Sequence, residues 1–218
     1  MPNVITYREA LTKGIREALI DNDDCFLMGE DVGAYGGAYA VSKGLLEEFG
    51  PKRIVDSPLS ESAIVGLGTG SSMVGLKPII EIMTINFLLV ALDQLVNHAA
   101  KIRYMSANQY SAPFMIRTVT GGGAQLGATH SQCFEPWLAS VPGLKVVAPS
   151  SPYDALGLFR SAIKEKDPIV FVEHILLYGS KGIVDEDYYE IPIGKANVVR
   201  SGDNLTLVAY SKMVPLCL

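Results

Sequence analysis

Between residues 6 and 18 the apolar positions Ala10, Leu11, Ile15 and Ala18, with Gly14 among them, keep to one helical face, while Arg8, Thr12, Lys13, Arg16 and Glu17 take the other. That spacing predicts an amphipathic helix, and Thr6-Tyr7-Arg8-Glu9 supplies a capping box for its start. The pattern then changes to short apolar runs at residues 25–28, 53–56, 77–82, 113–119, 144–148 and 168–173, each of strand length. Helical stretches separate them. One opens near Ser42 and is closed by Gly50-Pro51, and one starts at Glu61. A third carries Leu88, Leu92, Leu95, Val96 and Ala99 on one face with Asp93, Asn97 and Lys101 opposite. A fourth begins at Ser151-Pro152 and runs to about residue 166. Strands that are apolar throughout and alternate with helices predict an α/β fold, its parallel sheet covered by helices on both faces.

After His174 this alternation fades. Asp185-Glu186-Asp187-Tyr188-Tyr189 and Ile191-Pro192-Ile193-Gly194 read as a connector, and residues 205–210 read as a fresh strand after a Gly202-Asp203-Asn204 turn, with Ser211 placed to cap another helix. One strand and half a helix cannot bury a face. The expected division is therefore an α/β domain over 1–185, a connector over 186–200, and the start of a truncated second domain over 201–218.

Composition narrows the function classes. With 18 Lys+Arg against 23 Asp+Glu the net charge is −5, and no basic run with interleaved aromatics occurs, which argues against a nucleic-acid partner. Cys25, Cys133 and Cys217 are odd in number and widely spaced, unlike a disulfide scaffold or a zinc site. The start Met1-Pro2-Asn3-Val4 has no signal-peptide pattern, and the longest uncharged run is too short to span a bilayer. A soluble intracellular protein with no membrane partner is expected.

Ligands of parallel sheets bind beyond the carboxyl ends of the strands, and Glu30, Glu61, Phe87 and His130 all fall there or on the loops that follow. From Ser62 to Leu76 no charge occurs and glycines stand at 66, 68, 70 and 75, so Glu61 lies at the mouth of an apolar, small-residue segment. Apolar surroundings raise a carboxyl's pKa and suit it to hold a proton for a buried base. The same residue fits an ordinary helix start favoured by the helix dipole, and both readings stay open here. Residues 63–70 also fit a strand and dinucleotide loop with Glu81 as the ribose-binding acid, but too few residues remain for the crossover helix. The glycines fit better as points of close helix approach. Phe87 alone fits a core position equally well. His130, in the polar stretch Gly127-Ala128-Thr129-His130-Ser131-Gln132, is unlike a packed core histidine, and Cys133 nearby admits a Cys/His nucleophile pair with no third group to orient it.

Gly29-Glu30-Asp31-Val32, Asp56-Ser57-Pro58-Leu59-Ser60-Glu61, Thr84-Ile85-Asn86-Phe87 and His130-Ser131-Gln132-Cys133-Phe134 occur in the order and spacing of one known group. The chain resembles the β subunits of thiamine-diphosphate-dependent 2-oxo acid dehydrogenases of the pyruvate dehydrogenase type, within the transketolase-like group. Tyr35-Gly36-Gly37 and Phe171-Val172-Glu173-His174 are similar to the bacterial and plastid branch, which implies a cytoplasmic or plastid location. The resemblance implies a pyrimidine-binding domain in which Glu61 hydrogen-bonds a ring nitrogen of the cofactor's aminopyrimidine and Phe87 stacks on that ring. It implies further that His130 lines the channel for acyl transfer to a lipoyl group, and that Glu30 lies near a path between two active sites. Phe114, Ala162, Ile163, Glu165 and Asp167 match a structural potassium site, mostly through backbone oxygens.

The family's diphosphate and magnesium motif, Gly-Asp-Gly followed at a distance by Asn, is not found; Gly202-Asp203-Asn204 matches only its start. The resemblance therefore implies an α subunit that holds the diphosphate and magnesium in an α2β2 heterotetramer, a lipoyl acyltransferase component as the next partner, and pyruvate as substrate. Branched-chain 2-oxo acid or acetoin dehydrogenases are the alternatives within this class. A non-catalytic scaffold and a dinucleotide-binding protein are the alternatives outside it.

Overall fold

The computed structural model describes residues 3–122 and 124–218; Met1 and Pro2, and Gly123 at the end of the Gly121-Gly122-Gly123 run, lie outside the described residues. The chain opens with a short strand, β1 (Asn3–Thr6), and helix α1 (Tyr7–Asp21). The capping box forms: the Glu9 N–H donates to Thr6 Oγ1 at 3.1 Å and the Thr6 N–H donates to Glu9 Oε2 at 2.7 Å. Next come β2 (Cys25–Gly29), α2 (Leu45–Phe49), β3 (Ile54–Asp56), α3 (Glu61–Met73) and β4 (Lys77–Ile82). A 3₁₀ turn at Phe87–Ala91, a π-helical stretch at Gln94–Ala99 and α4 (Ile102–Met105) follow. The chain continues through β5 (Met115–Thr120), α5 (Glu135–Ala139), β6 (Lys145–Val147), α6 (Pro152–Ala162), β7 (Ile169–His174), β8 (Lys181–Val184) and α7 (Met213–Cys217).

Six strands form one sheet in the order β3-β2-β4-β5-β7-β6, every neighbouring pair parallel. Successive side chains of β4 go to opposite faces: Ile79 joins Leu11, Ile15 and Phe159 of α1 and α6, while Ile80 and Ile82 join Ile64 and Val65 of α3. Both faces are covered, which explains why the strands read as largely apolar runs without polar alternation. The glycine reading for α3 holds at Gly68, where a Cβ would stand 2.8 Å from Ile80 Cγ1. It does not hold at Gly70, which meets nothing within 4 Å. Gly75 serves a turn instead, at φ +102°.

Three expectations need correction. The helix after β4 is not regular, because the π-helical stretch hands the Ala100 N–H to the Leu95 carbonyl. Helix α6 stops at Ala162, its last turn tightened by i→i+3 bonds from Lys164 and Glu165, and Pro168 disfavours helix just before it. Residues 205–210 form no strand: they pair with no other strand among the described residues, and Leu205, Leu207 and Val208 are exposed. The residue preceding α7 is Lys212, and its side chain makes no capping bond.

One feature of the interior is charged. On the α1/α6 side of the sheet, Arg117 of β5 is fully buried and donates to Glu173 of β7 through Nε and Nη2, at 2.7 and 2.8 Å. Its Nη1 donates to Glu81 of β4 at 2.5 Å, and the Tyr178 hydroxyl donates to Glu173 at 2.6 Å. Tyr39 stacks on Tyr178 and covers the group from the loop after β2.

Candidate active site

Because β3, β2, β4 and β5 are successive neighbours, the loops at their carboxyl ends form one rim. Glu30 follows β2 directly. It is 7% exposed, and neither carboxylate oxygen has a hydrogen-bond partner among the described residues. Burial raises its pKa, and the nearby negative charges of Glu61 and Asp31 add to the effect, while the Ser60 backbone amide works against it. Glu30 therefore holds a proton more readily than an ordinary carboxylate. The sequence reading gave the buried setting to Glu61, and the structure gives it to Glu30.

Glu61 is the first residue of α3 and is half-buried. Ser60 makes no capping bond, so the first amides of α3 carry no side-chain acceptor from it. The negative charge of Glu61 is near enough to help raise the pKa of Glu30. The chain before Glu61 is fixed by Asp56, whose carboxylate accepts from the Gly33 and Ala34 N–H groups at 2.6 and 3.3 Å.

Phe87 is half-buried and starts the 3₁₀ turn after β4, its N–H donating to the Thr84 carbonyl at 3.0 Å. His130 closes a 3₁₀ turn at Ala128–His130 in the loop after β5. The two rings meet edge to face, centroids 5.2 Å apart and planes at 90°. Thr129 Oγ1 lies 3.1 Å from His130 Nδ1 and leaves Nε2 free of it. All three cysteines are free, and among the described residues no hydrogen bond joins Cys133 to His130, so nothing supports a Cys/His nucleophile. The dinucleotide reading also fails, since residues 63–70 lie inside α3 and Glu81 is bound by Arg117.

The structure thus pairs Glu30 with Glu61 and Phe87 with His130. Sequence reasoning missed Asn86, whose Oδ1 accepts from the Gln132 N–H at 3.3 Å and so joins the β4 and β5 loops. Its place one residue before Phe87 was the only signal.

The potassium candidates lie at the amino ends of the strands, before β5 and β7. The Phe114 carbonyl accepts from the Ile169 N–H and the Ala162 carbonyl from the Glu165 N–H. Both Asp167 oxygens accept from Arg103 at 2.9 Å, and Glu165 pairs with Lys145. Both carboxylates are thus engaged by cationic side chains. Among the described residues no group of three or more His, Cys, Asp or Glu is placed to hold a metal ion. Nor is any described helix long and apolar enough to cross a membrane.

Comparison with known proteins adds a family match, two relatives and a shared fold. Residues 3–181 match the family described as transketolase, pyrimidine binding domain. The chain is 47% identical to pyruvate dehydrogenase E1 component subunit beta-1, mitochondrial, of Arabidopsis thaliana, over 98% of this chain and 60% of that protein. It is 45% identical to pyruvate dehydrogenase E1 component subunit beta of Rickettsia bellii, over 98% of this chain and 66% of that protein. It therefore spans roughly three fifths of the length of these relatives. Among solved structures, a split-gene transketolase in an inactive β4 tetramer superposes with TM-score 0.77 at 19% identity, over 97% of this chain and 64% of the other, which shows a shared fold.

Proposed function

This chain belongs to the transketolase pyrimidine-binding domain family, and from that premise we propose that it is the pyrimidine-binding part of a thiamine-diphosphate-dependent pyruvate dehydrogenase β subunit. The observation that carries the proposal is the rim itself, where the loops after β2, β3, β4 and β5 bring Glu61 within electrostatic reach of the buried Glu30 and set the His130 ring edge-on to Phe87. The unpartnered, buried Glu30 carboxyl is the polar group a ligand site leaves open.

When bound, thiamine diphosphate supplies a carbon nucleophile and electron sink for a 2-oxo acid. Phe87 would hold the aminopyrimidine against its ring, and Glu61 would hydrogen-bond a nitrogen of that cofactor ring and hold the proton there. Glu30, whose pKa burial raises, keeps a second proton within electrostatic reach. His130 stands at the mouth, where a lipoyl group arrives. An α subunit holds the diphosphate and magnesium in an α2β2 assembly that hands its product to a lipoyl acyltransferase, and potassium binds near the amino ends of β5 and β7. The division at residues 185 and 200, with a further domain from 201, belongs to the same reading, and the family match ending at residue 181 supports the first of these boundaries.

The test is turnover of several 2-oxo acids by the full-length protein assembled with its α subunit. Decarboxylation of pyruvate that depends on thiamine diphosphate is expected; none with any 2-oxo acid would end the proposal. In the same assembly, Phe87→Ala is expected to weaken thiamine diphosphate binding by up to about 3 kcal/mol through lost burial and ring contact. Calorimetric titration measures it, with thermal melts to separate a folding defect.

A further inference from the structure

Asn86 is nearly buried, at 9% exposure, between two loops of the rim. Its Nδ2 donates to Thr84 Oγ1 at 3.1 Å and its Oδ1 accepts from the Gln132 N–H at 3.3 Å. The amide orientation follows from chemistry: a backbone N–H only donates, so oxygen must face Gln132, and the amino group then needs the acceptor that Thr84 provides. Thr84 is itself buried, and the neighbouring Ile85 N–H donates to the Val119 carbonyl of β5 at 2.8 Å. Asn86 therefore stands on a segment fixed to the sheet.

The loop it grips is otherwise lightly held. Gln125, Leu126, Gly127, Ala128 and Thr129 are exposed, and Gln125 and Gly127 have positive φ angles of 57° and 91°. Among the described residues, a ring contact and a hydrogen bond join this loop to the end of β4: the His130 ring against Phe87, and the Gln132 N–H donating to Asn86 Oδ1. The first is an edge-to-face contact that lets a ring slide. The second is directional and sits two residues from His130.

We propose that Asn86 is a positioning residue that sets His130 against Phe87, so that the loop from β5 presents its imidazole to an incoming lipoyl group. This rests on the function proposed above. In the step concerned, the lipoyl S–S bond breaks, one sulfur takes the acyl group and the other a proton. The electron pair comes from the 2-oxo acid as carbon dioxide leaves. Asn86 touches none of the reacting atoms. Its effect falls on the transfer step because that step alone depends on where the loop holds His130.

The experiment uses the full-length chain assembled with its α subunit, as wild type, Asn86→Ala and Thr84→Val. Thr84→Val keeps shape but removes the acceptor that orients the Asn86 amide. Amide hydrogen exchange by mass spectrometry, without cofactor, is expected to quicken in peptides covering 127–133 in both variants, with sheet peptides unchanged. With pyruvate, the ratio of lipoyl acylation to decarboxylation is expected to fall about tenfold or more, the scale at which a misplaced group costs rate. The double variant is expected to be no worse than Asn86→Ala alone, since both act through one contact. Unchanged exchange over 127–133 would overturn the positioning role. Quickened exchange with acylation and decarboxylation reduced equally would overturn its link to transfer. If the wild-type assembly decarboxylates no 2-oxo acid, the functional reading fails, while the exchange result still decides whether Asn86 holds the loop.

Discussion

Glu61→Gln in the full-length protein assembled with its α subunit is expected to lower 2-oxo acid turnover by about 10²–10⁴-fold, the usual effect of losing a positioned proton donor or acceptor, while thiamine diphosphate still binds. Glutamine keeps the size of glutamate and can still hydrogen-bond a ring nitrogen, but it cannot carry a proton. Glu61 is half-buried at an uncapped helix start and coupled electrostatically to a buried Glu30. A helix-start glutamate with no further role would behave otherwise. Its loss would remove a favourable interaction with the α3 dipole of about 0.3–1 kcal/mol and leave turnover intact. Steady-state kinetics and a cofactor titration on the same preparation separate the two.

The second large effect concerns stability. Arg117→Met is expected to destabilise the fold by about 3–5 kcal/mol, because removing one partner leaves the others as uncompensated buried charges. Glu173 is fully buried, and burial pushes its carboxyl up in pKa even with Arg117 beside it. Without the guanidinium, Glu173 and Glu81 face each other across the sheet, and the Tyr178 hydroxyl is the remaining donor to Glu173. Arg117→Met combined with Glu81→Gln and Glu173→Gln is expected to recover part of the loss, since neutral amides cost less to bury. The denaturant midpoints of the two variants and the wild type provide the check. A loss under about 1 kcal/mol for Arg117→Met would show the group to be solvated, as surface ion pairs are.

The sequence displays this group only in hindsight. Glu81, Arg117 and Glu173 each interrupt an apolar run, and lone charges in central strands must be paired. The register that places Arg117 opposite Glu81 appears only once the strand order is known. The parallel sheet itself was legible, because strands buried on both faces carry no polar alternation. The starts of α1 and α6 were legible because Thr6 and Ser151 bond locally to Glu9 and Asp154.

The antiparallel pairing of β1 with β8 left no such trace. Each strand has four residues, their pairing spans nearly the whole domain, and Val4 and Ile183 are exposed. At residues 205–210 the opposite error arose, since the apolar pattern is present but no neighbouring strand meets it. At the site, chain order was enough to place four residues on one rim. Which carboxyl is buried depends on how the loops after β2 and β3 pack together, and the Asn86–Gln132 bond depends on a loop returning to the end of β4. Neither is a local property of the sequence.

The most direct test of the central claim needs no 2-oxo acid. In the assembled, cofactor-loaded enzyme, exchange of the thiazolium carbon proton into deuterium oxide reports whether Glu61 passes a proton to the aminopyrimidine. Rapid exchange is expected for the wild type, with slowing of about 10²–10⁴-fold for a folded, cofactor-bound Glu61→Gln variant. Exchange at the wild-type rate in that variant would contradict the role of Glu61 and, with it, the assignment of this rim as the pyrimidine-binding half of the active site.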